Sequence, residues 1–453
     1  MTATLLDPAA VLRRAERLPR YTSYPTANHF TATVTAGDYA AWLSALPEDS
    51  VLSLYLHVTF CESLCWYCAC ATRATRRHAP IAAYLQRLEA EIIDIAARLP
   101  AGHRVQHLHW GGGSPDILSA DDIRRLGGTL RTAFHLAPDM DFAIEVDPRL
   151  MTGDKADSLV DIGVNRLSVG VQDFDPRVQQ AIGRMQGFEV TREAIDLFRA
   201  RGVRSVNMDL VYGLPHQTEA TLRRTLAQVL ELMPDRIALF GYAHLPQRAR
   251  NQRLIDEAAL PGPLARYAMS QALAGDLKVA GYAQRGIDHF ARAHDALATE
   301  PLNRNFQGYT TDTAEYLIGL GASAIGKLPQ GYVQNAVAAR DYMASIDRGE
   351  LATARGYALD ADDRLRAFVI ERLMCDFALS TDALRNTFGD RAAQRIGEEI
   401  DAVLADDPDG LVERTPQGLR MTERGRPFVR SICARFDAYL SPEPGVIRHA
   451  MAI

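Results

Sequence analysis

The stretch Cys61-Glu62-Ser63-Leu64-Cys65-Trp66-Tyr67-Cys68-Ala69-Cys70 holds four of the six cysteines of the 453-residue chain. It follows a largely apolar run, Leu52-Ser53-Leu54-Tyr55-Leu56-His57-Val58, bounded upstream by Asp49 and Ser50. Such a run between turn residues reads as a buried parallel strand. The cysteines then form the loop that leaves its carboxyl end, where ligands collect in parallel α/β sheets.

Clustered thiolates are soft ligands that select zinc, copper(I) or iron–sulfur. From Cys61 to Cys68 an extended chain spans roughly 25 Å, so the loop must curl if its sulfurs are to share one inorganic core. Zinc sites usually pair two C-x2-C halves across a longer gap, and no second pair is present. The ferredoxin run, C-x2-C-x2-C-x3-C, also differs. The spacing here, C-x3-C-x2-C, can hold three irons of a four-iron cluster and leave the fourth open. It resembles the radical S-adenosylmethionine (SAM) superfamily, in which SAM binds that open iron. Zinc or buried structural thiols are the competing readings. Cys70 is a fourth ligand, a buried thiol or a free thiol serving chemistry, and the last is favoured.

Composition sets the frame. With 47% hydrophobic and 23% charged residues, the chain matches an ordinary soluble globular protein. A net charge of −6 gives no general attraction to nucleic acid or anionic membrane, and neither is expected as a partner. The opening Met1-Thr2-Ala3-Thr4-Leu5-Leu6-Asp7 has no basic segment followed by an apolar core, so no signal peptide is expected. No apolar run approaches a membrane span. Few cysteines, mostly clustered, suit a reducing cytoplasm and a metal site rather than disulfides.

Strands and helices alternate from residue 52 to about 242. Strands are expected at 52–58, 105–110, 142–146, 166–171, 205–210 and 236–242. Helices are expected at 81–99, 121–134, 177–182, 190–199 and 219–232, with Ser119 and Asp122 as a capping box. Six parallel βα units make either a doubly wound sheet or a barrel. The strand ends carry glycines and polar groups in succession. They are the cysteine loop, Trp110-Gly111-Gly112-Gly113-Ser114, Glu145-Val146-Asp147, Gly170-Val171-Gln172, Asp209 to Gly213, and Tyr242-Ala243-His244. One such end is usually a turn; six in register describe a shared pocket.

Within it the glycines allow close backbone approach to a ligand. Glu145 suits an ammonium or a ribose hydroxyl, Asp209 a ribose or base, Gln172 a nucleoside or amino acid, and Arg184 a carboxylate. Each has a plainer reading as a turn, cap or solvated group. His57 and His244 are as readily structural as functional. Arg73, Arg76, Arg77 and His78 form a solvated helix entry, or attract an anionic substrate or an acidic electron donor. Past the sixth strand, loops around Asp288-His289-Phe290 and Asn305-Phe306-Gln307 close over the pocket. From about 355 the pattern becomes helical, with a hairpin around Pro416-Gln417-Gly418 and a last helix over 427–439, resembling a winged helix. In an acidic chain a cap is the better reading than a DNA reader.

With these residues in place the chain resembles the oxygen-independent coproporphyrinogen III oxidase family, radical SAM enzymes of haem biosynthesis. The likeness runs nearly end to end. It takes in Arg20-Tyr21-Thr22-Ser23-Tyr24-Pro25-Thr26-Ala27, Tyr55-Leu56-His57, the cysteine loop with Cys70, and His109-Trp110-Gly111-Gly112-Gly113. It continues through Gly170-Val171-Gln172-Asp173-Phe174, Tyr212-Gly213-Leu214-Pro215 and Arg304-Asn305-Phe306-Gln307-Gly308-Tyr309.

The resemblance implies an α/β fold: a partial (β/α)6 TIM-like barrel at 46–350, an N-terminal arm at 1–45 and a C-terminal helical, winged-helix-like cap at 351–453. It implies that Cys61, Cys65 and Cys68 bind a [4Fe-4S] cluster. Tyr55, Gly112, Glu145 and Ile325 would line a first SAM. Tyr67, Gly113, Ser114, Gln172, Arg184, Asp209 and Ala243 would line a second. Cys70 and Glu145 would serve turnover. The implied reaction converts two propionates of coproporphyrinogen III to vinyls, giving protoporphyrinogen IX. A 5′-deoxyadenosyl radical removes a β-hydrogen, then carbon dioxide and an electron are lost. A low-potential donor such as flavodoxin or ferredoxin, and a monomer, are expected. Thr59, Trp66, Tyr67, Ala69, Ser114 and Asn303 depart from the common family pattern. A radical SAM paralogue with another substrate and a haem-binding chaperone are the alternatives; Cys70 and the arm argue against both.

Overall fold

The computed structural model describes residues 6–440 together with His449 and Met451. Residues 1–5, most of the stretch read for a leader, lie outside the described residues.

The central strands are β1 (Val51–Val58), β2 (Arg104–Gly112), β3 (Leu136–Val146), β4 (Arg166–Gln172), β5 (Ser205–Tyr212) and β6 (Arg236–Gly241). Each pairs in parallel with the next. In β1 the period-2 alternation puts Leu52, Leu54, Leu56 and Val58 on one face, all 1% exposed or less. They share a core with Ile81, Tyr84, Leu85, Leu88 and Ile92 of the helix His78–Arg98. Tyr55, on the opposite face, lines the interior cavity. Further helices cover the outer face at Ala120–Ala133, Phe188–Arg199 and Glu219–Glu231. The Ser119–Asp122 capping box forms in both directions. A helix at Gly153–Asp161 has too few apolar positions to be read from periodicity, and Thr152 caps it.

The six units form the parallel centre of a longer open sheet. On the far side of β1 the strand Tyr316–Leu320 pairs in parallel, followed by antiparallel Ile325–Leu328, Gly331–Asn335 and Thr353–Ala358. Beyond β6 lie antiparallel His289–Arg292 and Tyr282–Arg285. The sheet has twelve strands and two free edges, so the barrel stays partial. The segments expected as closing loops are therefore partly sheet, and this sheet runs to Ala358, past the boundary expected at 350.

Glu91, 2% exposed, ties the two sides of β1 together. It accepts hydrogen bonds from the Gly321 amide (2.7 Å), Asn335 Nδ2 (2.6 Å) and the Tyr342 hydroxyl (2.7 Å). Burial lifts its carboxyl from 4.5 to about 7 against these donors. A folded-state pKa above the unfolded one contributes stability that is complete below 4.5 and lost as pH rises through about 7. The loss amounts to about 3 kcal/mol at most. Urea midpoints are expected to fall between about pH 5 and about pH 8 in the wild type and to fall less steeply in Glu91→Gln, which removes this one of the buried carboxyls that titrate there.

The C-terminal region combines helices Ala361–Asp376, Thr381–Phe388 and Asp390–Ala405 with a three-stranded wing of Ala378–Ser380, Val412–Thr415 and Gly418–Met421. The single helix expected over 427–439 is instead a 3-10 turn, the short helix Val429–Cys433 and a second 3-10 turn. This division lets Phe428, Val429, Ile432 and Phe436 all reach one core. Ala10 and Val11 of the arm helix Pro8–Arg13, and Tyr21 and Tyr24, join that core. Among the described residues no helix is long and apolar enough to cross a membrane.

Candidate active site

The carboxyl ends of β1 to β6 open on a cavity of about 680 Å³. Tyr55, Cys61, Cys65, Tyr67, Cys68 and Cys70 line it from the first strand and its loop. Gly112, Gly113 and Ser114 line it from β2, and Glu145 from β3. Gln172, Arg184, Asp209 and Ala243 complete it. Ile325 is not part of this lining; it sits on the sheet extension with its backbone against Gly319. His57 also stands behind the wall. Its ring meets the Tyr55 hydroxyl (3.1 Å) and the Ala71 carbonyl (3.0 Å), fixing where the cysteine loop returns.

The cysteine loop is shaped by backbone. Phe60–Cys61 pairs with Arg73–Ala74, and the Cys68 amide donates to the Cys65 carbonyl (3.3 Å), a tight turn. Two side chains hold this turn from outside. Asn251 Nδ2 donates to the carbonyls of Cys65 (2.9 Å) and Cys68 (2.7 Å), and Gln252 Nε2 to that of Tyr67 (2.7 Å). Sequence reasoning missed both residues; nothing in their local pattern marks them.

All three thiols are free. Arg184 Nη1 donates to Cys65 Sγ (3.4 Å). Hydrogen bonds from the Cys70 side chain and amide hold Cys68 near 7 although burial pushes it up. Burial lifts Cys61 to about 12. Among the described residues no three His, Cys, Asp or Glu side chains converge tightly enough for one metal ion; the thiols share a cavity without meeting at a point.

At the end of β2 the glycines are demanded by their neighbours. A Cβ on Gly111 would lie 2.6 Å from Glu145 Oε1. On Gly112, at φ +111°, it would lie 2.6 Å from the His57 ring. Glu145 receives His109 Nε2 (3.1 Å) and the Gly112 amide (3.2 Å). Burial pushes this carboxyl up, but those two donors and the nearby histidines outweigh it, leaving it below the usual range. A fixed carboxylate thus faces the cavity beside exposed backbone. Gly112→Val is expected to displace His57, lowering stability by about 1–3 kcal/mol, as scanning calorimetry would show.

The other wall is built by a bulge. Register shifts between Gly170 and Gln172, and Gln172 adopts φ 67°, which re-aims its side chain. Arg184, 7% exposed, donates to the Gly170 carbonyl (2.8 Å) and lies 3.5 Å from Asp147. Asp147 is also held by Arg149 at 2.6 Å. Burial raises Asp209 to about 6 although Asn207 (2.8 Å) and Ser168 (3.1 Å) donate to it. The cavity therefore offers an ionised carboxylate at Glu145, a buried cation at Arg184 and, at Asp209, a carboxyl that burial makes easier to protonate than usual.

Family comparisons agree with this geometry. Residues 55–229 match the Radical SAM superfamily and residues 359–428 the HemN C-terminal domain. Oxygen-independent coproporphyrinogen III oxidase of Bradyrhizobium diazoefficiens is 47% identical, covering 98% of this chain and 99% of its own. The chain belongs to the oxygen-independent coproporphyrinogen III oxidase family. The enzyme of that name from Paracoccus denitrificans is 44% identical over 93% of this chain and 94% of its own. The solved coproporphyrinogen III oxidase (HemN) from Escherichia coli, described as a radical SAM enzyme, superposes with a TM-score of 0.90 at 39% identity, covering 96% and 100% of the two chains. The donor set here fits what a coproporphyrinogen oxidase of this family needs. Three free thiols with a cation beside one of them suit an anionic thiolate cluster, and they face a carboxylate set on bare backbone.

Proposed function

We propose that this protein is a radical SAM oxidoreductase. It decarboxylates two propionates of coproporphyrinogen III to vinyls without oxygen, forming protoporphyrinogen IX in haem biosynthesis. The observation that carries this is the opening of Cys61, Cys65 and Cys68 onto one cavity with Glu145 and Gly112, in a chain 47% identical end to end to such an oxidase.

Bound there, a [4Fe-4S] cluster and SAM supply the one-electron cleavage that yields the hydrogen-abstracting radical. The chain supplies the rest. Cys61, Cys65 and Cys68 hold the cluster, and Asn251 and Gln252 keep their loop in shape. Glu145, fixed as a carboxylate, receives the ammonium of a first SAM beside Gly112 and Tyr55; Ile325, off the cavity lining, acts at most through the backbone around Gly319. Tyr67, Gly113, Ser114, Gln172, Arg184, Asp209 and Ala243 receive a second SAM, with Arg184 facing its carboxylate. Cys70 keeps a free thiol for turnover. Arg20 and Arg304 meet the carboxylates of the tetrapyrrole. The arm and the C-terminal unit cap the barrel and restrict the entry of water and oxygen to the cavity. A low-potential carrier of the flavodoxin or ferredoxin kind, a cytoplasmic location and a monomer complete this reading, with no role for nucleic acid.

The test is anaerobic turnover of reconstituted protein with dithionite, SAM and coproporphyrinogen III. Both 5′-deoxyadenosine and protoporphyrinogen are expected. Deoxyadenosine alone would transfer the chemistry to another substrate.

A further inference from the structure

The cysteine loop reaches the surface: Ser63 is exposed and Leu64 is 37% exposed. Two basic segments are pinned to it from distant parts of the chain. Arg73 pairs across from Phe60, the Thr75 amide donates to the Cys61 carbonyl (2.9 Å), and Arg76 and Arg77 follow. On the other flank Arg250 and Arg253 bracket Asn251 and Gln252, the residues that hold the loop, and Arg248 precedes them. All six arginines are exposed.

Three carboxylates lie in these segments and each is engaged. Glu62 faces Arg76 at 3.5 Å, Glu257 meets His244 at 3.0 Å, and Asp256 caps the Ala258 amide. The patch is thus basic in a chain whose net charge is −6. Apolar side chains stand exposed with it. Leu254 and Met185 are each 59% exposed, and Met185 follows the Gly183 turn that packs on Trp66 of the loop.

We propose that this face is the docking site of a small acidic one-electron carrier that reduces the cluster. The inference rests on the cluster assignment above. Opposite charge steers a transient encounter and raises its rate, and a few exposed apolar groups within a charged rim match the small, weak interfaces of electron-transfer pairs. The arginines surround the one loop that carries the electron acceptor, so a carrier seated on them needs no passage through the cavity. One electron leaves the carrier, which is oxidised by one, and enters the cluster, which is reduced by one.

The experiment compares wild type with Arg73→Glu/Arg77→Glu/Arg253→Glu, using reduced flavodoxin as the acidic probe and dithionite as the control. Bleaching of the cluster is followed by stopped flow, and flavodoxin binding to the same proteins is measured separately. Reduction by flavodoxin is expected to slow by roughly tenfold or more in the variant and to slow with salt in the wild type. Reduction by dithionite should be unchanged, which also reports an intact fold and cluster. Equal flavodoxin rates and equal binding in the two proteins would overturn the proposal. So would equally strong binding of a DNA duplex, which would make the patch a general polyanion site. Because bleaching requires no tetrapyrrole, failure of the substrate assignment leaves this result readable.

Discussion

Cys61→Ala is expected to leave anaerobic reconstitution without its cluster and with turnover at background, whereas Cys70→Ala should keep the cluster. The two thiols sit differently. Cys61 is anchored by the short pairing of Phe60–Cys61 with Arg73–Ala74 and lines the cavity with Cys65 and Cys68. Cys70 lies past the turn closed by Cys65 and Cys68, and its amide donates to Cys68 Sγ (3.4 Å). A residue that donates to one ligand's sulfur supports that ligand from outside the set. Iron and sulfide content, the visible absorption of the cluster and product formation would be measured on both variants. Loss of iron from Cys70→Ala in step with Cys61→Ala would make Cys70 a ligand and close the open iron.

How much of this could be read from the sequence depended on how local the signal is. The strand before the cysteines was legible because its alternate positions Leu52, Leu54, Leu56 and Val58 are all apolar and packed on the core face. The six strand ends were legible because each carries glycines or polar groups just where an apolar run stops. The outer strands were not. Ile325–Leu328 and His289–Arg292 have four residues each, too few for an alternation to stand out. The loop's external supports were not legible either. Asn251 and Gln252 lie more than 180 residues from the carbonyls they hold, and a polar pair in a coil has no periodicity. Glu145 shows a middle case. Its strand-end position marked it, but its charge state depends on His109, from the neighbouring strand, and on the absence of a Cβ at Gly111.

Arg20→Met is expected to raise the KM for coproporphyrinogen III by up to roughly fivefold, matching about 1 kcal/mol for an exposed charge pair. Arg20 faces both the main cavity and an adjoining chamber of about 210 Å³. Its Nη2 donates to the Gly241 carbonyl (3.0 Å). Behind it Arg304 donates to the carbonyls of Arg20 and Tyr21 (3.1 Å each) and lies over the Tyr309 ring at 4.3 Å. Among the described residues neither guanidinium reaches a carboxylate within ion-pair distance; both are held by carbonyls and, for Arg304, an aromatic face. Arg20 is exposed to solvent, so an arriving anion can pair with it directly. A tetrapyrrole with four carboxylates brings such anions, and only some of them react. Arg20→Lys should recover part of the loss, because it restores charge without the planar fork. Uncoupled release of 5′-deoxyadenosine under dithionite should stay at the wild-type rate, since Arg20 is assigned to neither SAM. A parallel fall in deoxyadenosine release would show that Arg20 supports the cofactors and not the substrate.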